Sequence, residues 1–439
     1  MLFNYLKTLE DKCRVQRVKS LEGKAGIVER HVASLDSLHY RMHPFFTLHG
    51  ISHSEGVLDN LGEICKCAGI LDVGGKRSLN RAETFCLIAA AYLHDIGMIY
   101  PLRDRGVSEI GEEEVNEIRE RHEIASAEYI NEHQRVLYLE SYEVPILQLI
   151  CKGHRRKSEI SGEDYKDDNA FRTQQVRVRL LTALLRIADE LDLDHRRAPE
   201  NDLAHSFHYG FLGKVSLFHW VKHHHTTSIH FESLETGTQK IVRVNIGLRG
   251  KTKRACDALW CHINEPVSSE IRKLNPHFAN TGFQMELIPY TFQENLNIGD
   301  MLRFKKEISF LLADDDQDFR AELVKELKEL GFAVFYEASN LAEVEDLVVR
   351  NQTRFDLACI DNYMPDFQDE LVEDAGQRVL GWLAQSDSPP ILAVCSGSNE
   401  EKLQAVARQY NAICLPKKMT EKEIAKKLEG AFDKRCVFL

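Results

Sequence analysis

No run of roughly 18 apolar residues occurs anywhere in this 439-residue chain, so no segment of it reads as a membrane span. A signal peptide is not evident either. Lys7, Glu10, Asp11 and Lys12 put charge where such a peptide needs a continuous apolar core, and a cytoplasmic protein is expected. There is no Cys-x-x-Cys pair. The 11 cysteines are odd in number and scattered from Cys13 to Cys436, so free thiols in a reducing compartment are their simplest reading. Basic charge is in short supply. The formal net charge is -12 and the pI about 5.9, which argues against a protein that coats polymeric nucleic acid, because such binding rests on neutralising phosphates with Lys and Arg. A small anionic substrate would need only a local basic pocket. Internal repeats and low-complexity tracts are missing too, and at 43% hydrophobic the chain can bury two or three separate cores.

What is present changes class along the chain. From about residue 20 to 200 the apolar residues recur at helical spacing, as in Val57, Leu58, Leu61, Ile64 and Ala68, and predict an all-α domain over 1–205. Between about 212 and 290 the alternation turns to period two, in Lys214 to Val221, Ser228 to Glu232 and Lys240 to Ile246. This predicts a small α+β segment over 206–292, with one helix at about 252–274 and a last strand at Gln284 to Ile288. His223, His224 and His225 fall in the alternating stretch and are expected on a strand, facing solvent. Residues 293–306 read as a polar linker. Over 307–439, short apolar runs beginning at Ile308, Ala333, Leu357, Ile391 and Ala412 alternate with amphipathic helices, the pattern of a five-stranded parallel sheet wound with helices.

Isolated histidines and aspartates stand at helix ends in the first region. Ser52-His53-Ser54-Glu55 reads as a capping box with Ser52 at the N-cap, which holds the His53 imidazole at a rigid helix start. His94 and Asp95 close an apolar helix just before Gly97, and Asp189 lies near the end of another. A carboxylate near a helix C-terminus opposes the macrodipole by roughly 0.3 to 1 kcal/mol, and burial adds a larger penalty unless a cation compensates. Imidazole plus carboxylate suits Fe, Mn, Zn or a similar divalent ion, so the ligand set does not choose the metal.

His53, then His94-Asp95, then Asp189 resembles the ligand order of the HD phosphohydrolase superfamily over roughly residues 40 to 200. The resemblance implies one metal held by His53, His94, Asp95 and Asp189, and a second, bridged by Asp95, held by His122 and His154. Asp95 and His94 would then sit at the catalytic centre, and a water activated between the metals would attack phosphorus. Lys152, Arg155, Arg156 and Lys157 crowd His154, and Arg186 precedes Asp189 by one turn; they read either as phosphate contacts or as a solvated basic turn. His43 and His49 are candidate pocket residues without an assigned role. The sequence departs from two better known subfamilies. It lacks a Gly-Tyr-Pro signature after His154, with Arg155 in place of a second histidine, and it lacks a Glu-Asp pair after His94-Asp95. Cyclic-di-GMP and guanosine tetraphosphate are disfavoured accordingly.

In the last region, reactive residues follow the strand-like runs: Asp314 and Asp315, Asp361, Ser396 and Lys417. Reactive groups of open parallel sheets gather at the carboxyl ends of strands. Three carboxylates there would bind Mg2+, which would screen a phosphoryl group arriving on Asp361, while Lys417 and Ser396 contact its oxygens. Asp314-Asp315-Asp316, Asp361 to Pro365 and Leu415-Pro416-Lys417 resemble the response-regulator receiver domain, a flavodoxin-like α/β fold, over about 307–432. The resemblance implies phosphorylation of Asp361, a Mg2+ site of Asp314, Asp315, Asp361 and the Tyr363 carbonyl, and a histidine kinase or phosphotransfer protein as partner. Cys414 stands where many receivers carry a switch aromatic, Lys418 replaces a common proline, and Ser396 comes one residue late. Asp366 to Asp374 reads as an acidic solvated loop.

The expectation is a multidomain protein: an all-α HD-type domain with an appended α+β segment, then a receiver. Its expected function is hydrolysis of a small phosphorylated substrate, a nucleotide or cyclic nucleotide, under control of Asp361 phosphorylation, with a homodimer compatible. The alternative is a two-component signalling scaffold whose HD fold binds partners without catalysis. Loss of His94 or Asp95 separates the two.

Overall fold

The helix Arg81–Leu93 is apolar on every face, and a helix of that kind is stable only when surrounded. All of its residues from Ala82 to Leu93 are buried, and helices Leu2–Lys12, Leu21–Ser34, Ile51–Cys67, Val144–Gly153 and Val178–Glu190 pack around it. The segment Arg81–Ile99 is long and apolar enough to cross a membrane, yet it is entirely buried inside this bundle. The structure, a computed structural model, describes residues 1–12, 20–41, 47, 49–102, 112–167, 169–171, 174–199, 214–237, 239–298, 301–366, 371–372, 374–386, 389–397, 400–432 and 436–438. It divides into two compact units, Met1–Ile298 and Gly299–Leu439. The ten described cysteines are all free.

Two helices of the first unit are locked in register at their starts. Asn80 caps Arg81–Leu93 in a capping box with Glu83. The buried Glu83 carboxylate also accepts Arg177 Nε at 2.7 Å and Nη2 at 2.8 Å, where the helix Val178–Glu190 begins. Eleven residues after Glu83 comes His94, and twelve after Arg177 comes Asp189, so both helices deliver their polar ends to one place about 17 Å from the pair, at 1.5 Å per residue.

Three details of the first unit differ from the sequence reading. The helix Ile51–Cys67 starts one residue before Ser52, with Gly50 at the N-cap and the Asp36 carboxylate accepting the Ile51 N–H at 2.7 Å, so Ser52 does not cap it. Lys214 to Val221 is not a strand but part of the helix Lys214–His225. Its buried positions Leu217, Trp220, Val221 and His224 follow i, i+3, i+4, i+7, and a short period-two alternation at its start hides that repeat. His223, His224 and His225 are accordingly buried at the end of a helix rather than solvent-facing on a strand. The small sheet begins after them. Thr226–Thr236 pairs antiparallel with Gln239–Gly250, to which Phe283–Leu287 and Thr291–Glu294 add in parallel, with the long helix Lys253–Ala279 between. Since Thr291–Glu294 pairs with Gly247–Gly250, the sheet takes up the first residues of the expected 293–306 linker; Leu302–Arg303 pairs with Val437–Phe438 in the second unit. The expected boundary at 205/206 lies outside the described residues.

The second unit is a five-stranded, all-parallel sheet. Its order is Ile413–Pro416, Ile391–Ser396, Leu357–Asp361, Ser309–Ala313, Val334–Ala338, with helices between the strands. Numbered along the chain this is 2-1-3-4-5, the flavodoxin-like arrangement whose ligand site falls at the switch point between the first and third strands. Separate apolar clusters, centred on Phe310, Leu312 and Leu428 and on Leu311, Ile360 and Val394, contain alternate residues of the same strands and so mark its two faces. Most of the acidic Asp366 to Asp374 stretch lies outside the described residues; Leu371–Val372 within it pairs with Met364–Pro365.

Candidate metal centre

Four imidazoles and two carboxylates converge where the helices end. His53 Nε2 lies 3.1 Å from His94 Nε2, 3.4 Å from Asp95 Oδ2 and 3.3 Å from Asp189 Oδ1. On the other side of the same aspartate, His122 Nε2 lies 3.2 Å and His154 Nε2 3.5 Å from Asp95 Oδ1, with 3.0 Å between the two imidazole nitrogens. Asp95 therefore faces one histidine pair with each oxygen. The six residues named from the sequence are all brought together, Asp189 on the His53 side only.

The outward ring nitrogens explain why the inward ones matter. His94 Nδ1 donates to Ala91 O at 3.0 Å, His122 Nδ1 to Arg119 O at 2.7 Å, and His154 Nδ1 to Cys151 O at 2.5 Å. A carbonyl can only accept, so each Nδ1 carries a hydrogen and each Nε2 is left facing inward, where its lone pair can reach a ligand. Lone pairs 3.0 Å apart need a proton or a cation between them. His53 differs, because its Nδ1 meets the Asp192 carboxylate at 2.7 Å, the carboxylate–histidine arrangement that orients a metal ligand. Burial and Arg197 work against charge on His53, yet Asp189, Asp192 and Asp95 outweigh them and raise its pKa to about 10. Burial alone would raise Asp95 and Asp189, but the surrounding histidines hold both carboxyls well below their usual range. Two ionised carboxylates, Asp95 largely buried and Asp189 partly so, among imidazole nitrogens fit divalent cations of the Fe, Mn or Zn type.

The site contains supports that were not singled out in the sequence. Asp192 is one. Gly56, one turn beyond His53, is another: a Cβ there would overlap the Asp192 carboxylate. Gly97 plays the same part behind Asp95, since a Cβ would overlap the His122 carbonyl on helix Glu112–Glu132. Ser126, four residues after His122, donates to His94 O at 2.6 Å and accepts the Gly97 N–H at 2.9 Å, tying that helix to the His-Asp turn.

A cavity of about 430 Å³ opens over Asp95, His122, His154 and Asp189. That volume lies within the range of small-molecule sites. Arg155, Arg156, Lys157 and Arg186 line it, and Lys152 does not. Arg186 is held by Glu270 and by the Ser158 and Arg156 carbonyls, which gives it a bracing role. His49 lines the cavity and meets Arg197 Nη2 at 3.1 Å; His43 lies outside the described residues.

The second unit gathers Asp314, Asp315 and Asp361 at the carboxyl ends of adjacent strands. Lys417 Nζ reaches Asp314 Oδ1 at 2.9 Å and Asp361 Oδ2 at 2.8 Å, and its N–H donates to Ser396 O at 2.9 Å. Burial raises both carboxyls, Asp314 to about 6 with Asp361 adding to the effect and Lys417 opposing it. Asp314 Oδ2 is buried and accepts no hydrogen bond among the described residues, as a metal-facing oxygen would be left. The donor set is all oxygen, which fits Mg2+. The Tyr363 N–H donates to Asp361 Oδ1 at 3.2 Å, which places that residue beside the acid.

Residues 43–246 match the HD-CE family, and residues 310–429 match the response regulator receiver domain. The first match runs past residue 200 to include the helix Lys214–His225 and most of the first two strands of the small sheet. No curated protein matches the chain. A receiver domain indicates regulation by two-component phospho-signalling and interaction with a histidine kinase or phosphotransfer partner.

Proposed function

We propose that the first unit is a metal-dependent phosphohydrolase acting on a nucleotide or cyclic nucleotide, controlled by phosphorylation of Asp361. One observation carries the reading: Asp95 stands between two histidine pairs whose Nδ1 atoms are all committed to hydrogen bonds, leaving both pairs of Nε2 atoms to face a cation. His53, His94, Asp95 and Asp189 would hold one metal, and Asp95, His122 and His154 the other. When bound, the two ions supply an activated water and screen charge on the attacked phosphoryl group.

The chain's own residues do the rest. Asp192 fixes the His53 ring, Ser126 fixes the His-Asp turn against the His122 helix, and the Glu83–Arg177 pair fixes the approach of the two helices. The cavity gives an anion a partly enclosed seat among Arg155, Arg156 and Lys157, whose ion pairs with Glu123 and Glu190 hold them in position. In the second unit Lys417 already spans Asp314 and Asp361, so a phosphoryl group on Asp361 has a cation waiting for its oxygens.

The test is a phosphatase and phosphodiesterase substrate panel with Mn2+ on the wild-type protein and on Asp95→Ala. Hydrolysis that the variant loses is the expected result. A wild type silent on every phosphoester, with signalling output unaffected by His94→Ala, would leave the first unit as a partner-binding module.

A further inference from the structure

The cations around the cavity are unequal in what they already hold. Arg155 and Lys157 meet Glu120 and Glu123, Arg156 meets both oxygens of Glu190, Arg186 meets Glu270, and Arg197 lies against Asp192. Lys222 also lines the cavity, from the helix Lys214–His225, and while its carbonyl accepts the Thr226 hydroxyl, its ammonium makes no hydrogen bond or ion pair with any described residue. Its neighbour His223, 3% exposed and lining the same cavity, has an Nδ1 that meets the hydrogen-bond criteria with no described residue, although the Leu193 backbone lies close enough to act on the ring. A buried ring nitrogen so placed can be satisfied by a polar group of a ligand in the cavity.

The surroundings of Lys222 carry surplus positive charge. Burial lowers its pKa to about 8, Glu190 resists, and Arg197, Arg156 and Arg119 lower it further. Burial, with Lys222 and Arg197, holds His219 and His223 well below the ordinary histidine range, Arg119 and Arg156 adding to the effect on His219, so both are neutral donors and acceptors rather than additional charges. Glu190, the acid that opposes this lowering, is engaged by Arg156. The same cavity thus presents the metal-facing groups Asp95, His122, His154 and Asp189 and also a lysine whose ammonium meets no carboxylate directly among the described residues.

We propose that Lys222, with His223 beside it, receives a second phosphate of the substrate, so that the preferred substrates are organic phosphates with two or more phosphoryl groups rather than simple monoesters. The inference rests on the phosphohydrolase reading and names its substrate class. One phosphoryl group lies at the histidine–aspartate centre, where hydrolysis occurs. The other pairs with the Lys222 ammonium and restores the charge balance of that wall. Lys222 is a specificity-determining residue, and the reaction at the first phosphorus does not require it.

Binding separates this from the hydrolase reading itself. The full-length protein, loaded with Mn2+, is titrated calorimetrically with AMP and with α,β-methylene-ADP, whose bridge resists hydrolysis. Wild type is expected to bind the two-phosphate ligand at least about tenfold more tightly, one charge-assisted contact being of that order. Lys222→Met should bring the two affinities together without changing that for AMP, and Lys222→Arg should keep the preference. Equal affinities in wild type, or an undiminished preference in a folded Lys222→Met, would overturn the proposal even if the enzyme hydrolyses monoesters. If the preference follows Lys222 but no phosphoester is cleaved, the anion site stands and the hydrolase reading falls.

Discussion

The two acidic centres of this chain solve the same electrostatic problem with different chemistry. In the helical unit, Asp95 and Asp189 stay ionised because four imidazoles surround them, and the balancing proton sits on His53. In the receiver, Asp314 and Asp361 have one lysine between them and are pushed upward instead, so that Asp314 takes up a proton as the pH falls through about 6. Nitrogen lone pairs would suit the first centre to transition metals, while the all-oxygen set of the second would suit Mg2+. Burial alone therefore does not define such a site. The charge and softness of the groups buried with the carboxylates decide which ion replaces the proton.

The contrast can be broken most forcefully at Asp95, which both histidine pairs share. Asp95→Ala is expected to lower phosphoester hydrolysis about 1000-fold, several kcal/mol of metal-supplied stabilisation, in steady-state assays with Mn2+. The same variant should still take up one phosphoryl group at Asp361 from a small-molecule phosphodonor, read by intact mass, and Asp361→Asn should not. A second test concerns register. Glu83→Ala leaves Arg177 without its buried partner at the start of the two ligand-bearing helices and should cost about 3 kcal/mol, seen as a lowered denaturation midpoint of the helical unit. A third concerns orientation: Asp192→Asn keeps the shape beside His53 but weakens the carboxylate contact, and a loss of about 10- to 100-fold in transition-metal affinity is expected by competition with a chelator.

The smallest expected effect is on pH. Asp314 must lose its proton to bind Mg2+, and its carboxyl is pushed up to about 6, so affinity falls as pH falls through that value. In the Asp95→Ala background, calorimetric Mg2+ titration should give roughly tenfold weaker binding at pH 5 than at pH 7.5, a protonated fraction of about ten to one setting the factor. A flat profile would mean that the lysine-bridged acids remain ionised throughout.

Much of this was legible in the sequence, and for a physical reason. Metal-type ligands at helix ends and acids at strand ends stand at element boundaries, where capping residues and changes of period give them away; His94-Asp95, Asp189, Asp314 and Asp361 all announce themselves so. The parallel order of the receiver followed from alternating runs. The supports were harder to see. Asp192 lies three residues after Asp189 in a string of acids that also suits a solvated helix end, and only the fold brings it under His53. Gly56, one turn after His53, and Ser126, one turn after His122, were at readable spacing, but glycine and serine in helices have many uses. The helix Lys214–His225 reads as a strand because the short alternation at its start suits a strand and a helix alike, and this conceals the cavity wall on which Lys222 stands.

Transition-metal content tests the central claim most directly. Protein purified in the presence of Mn2+ and freed of excess ion should contain two equivalents of transition metal per chain by elemental mass spectrometry, falling below one in Asp95→Ala because both pairs lose their shared carboxylate. Wild-type protein with less than one equivalent, or an Asp95→Ala protein that keeps two, would contradict it.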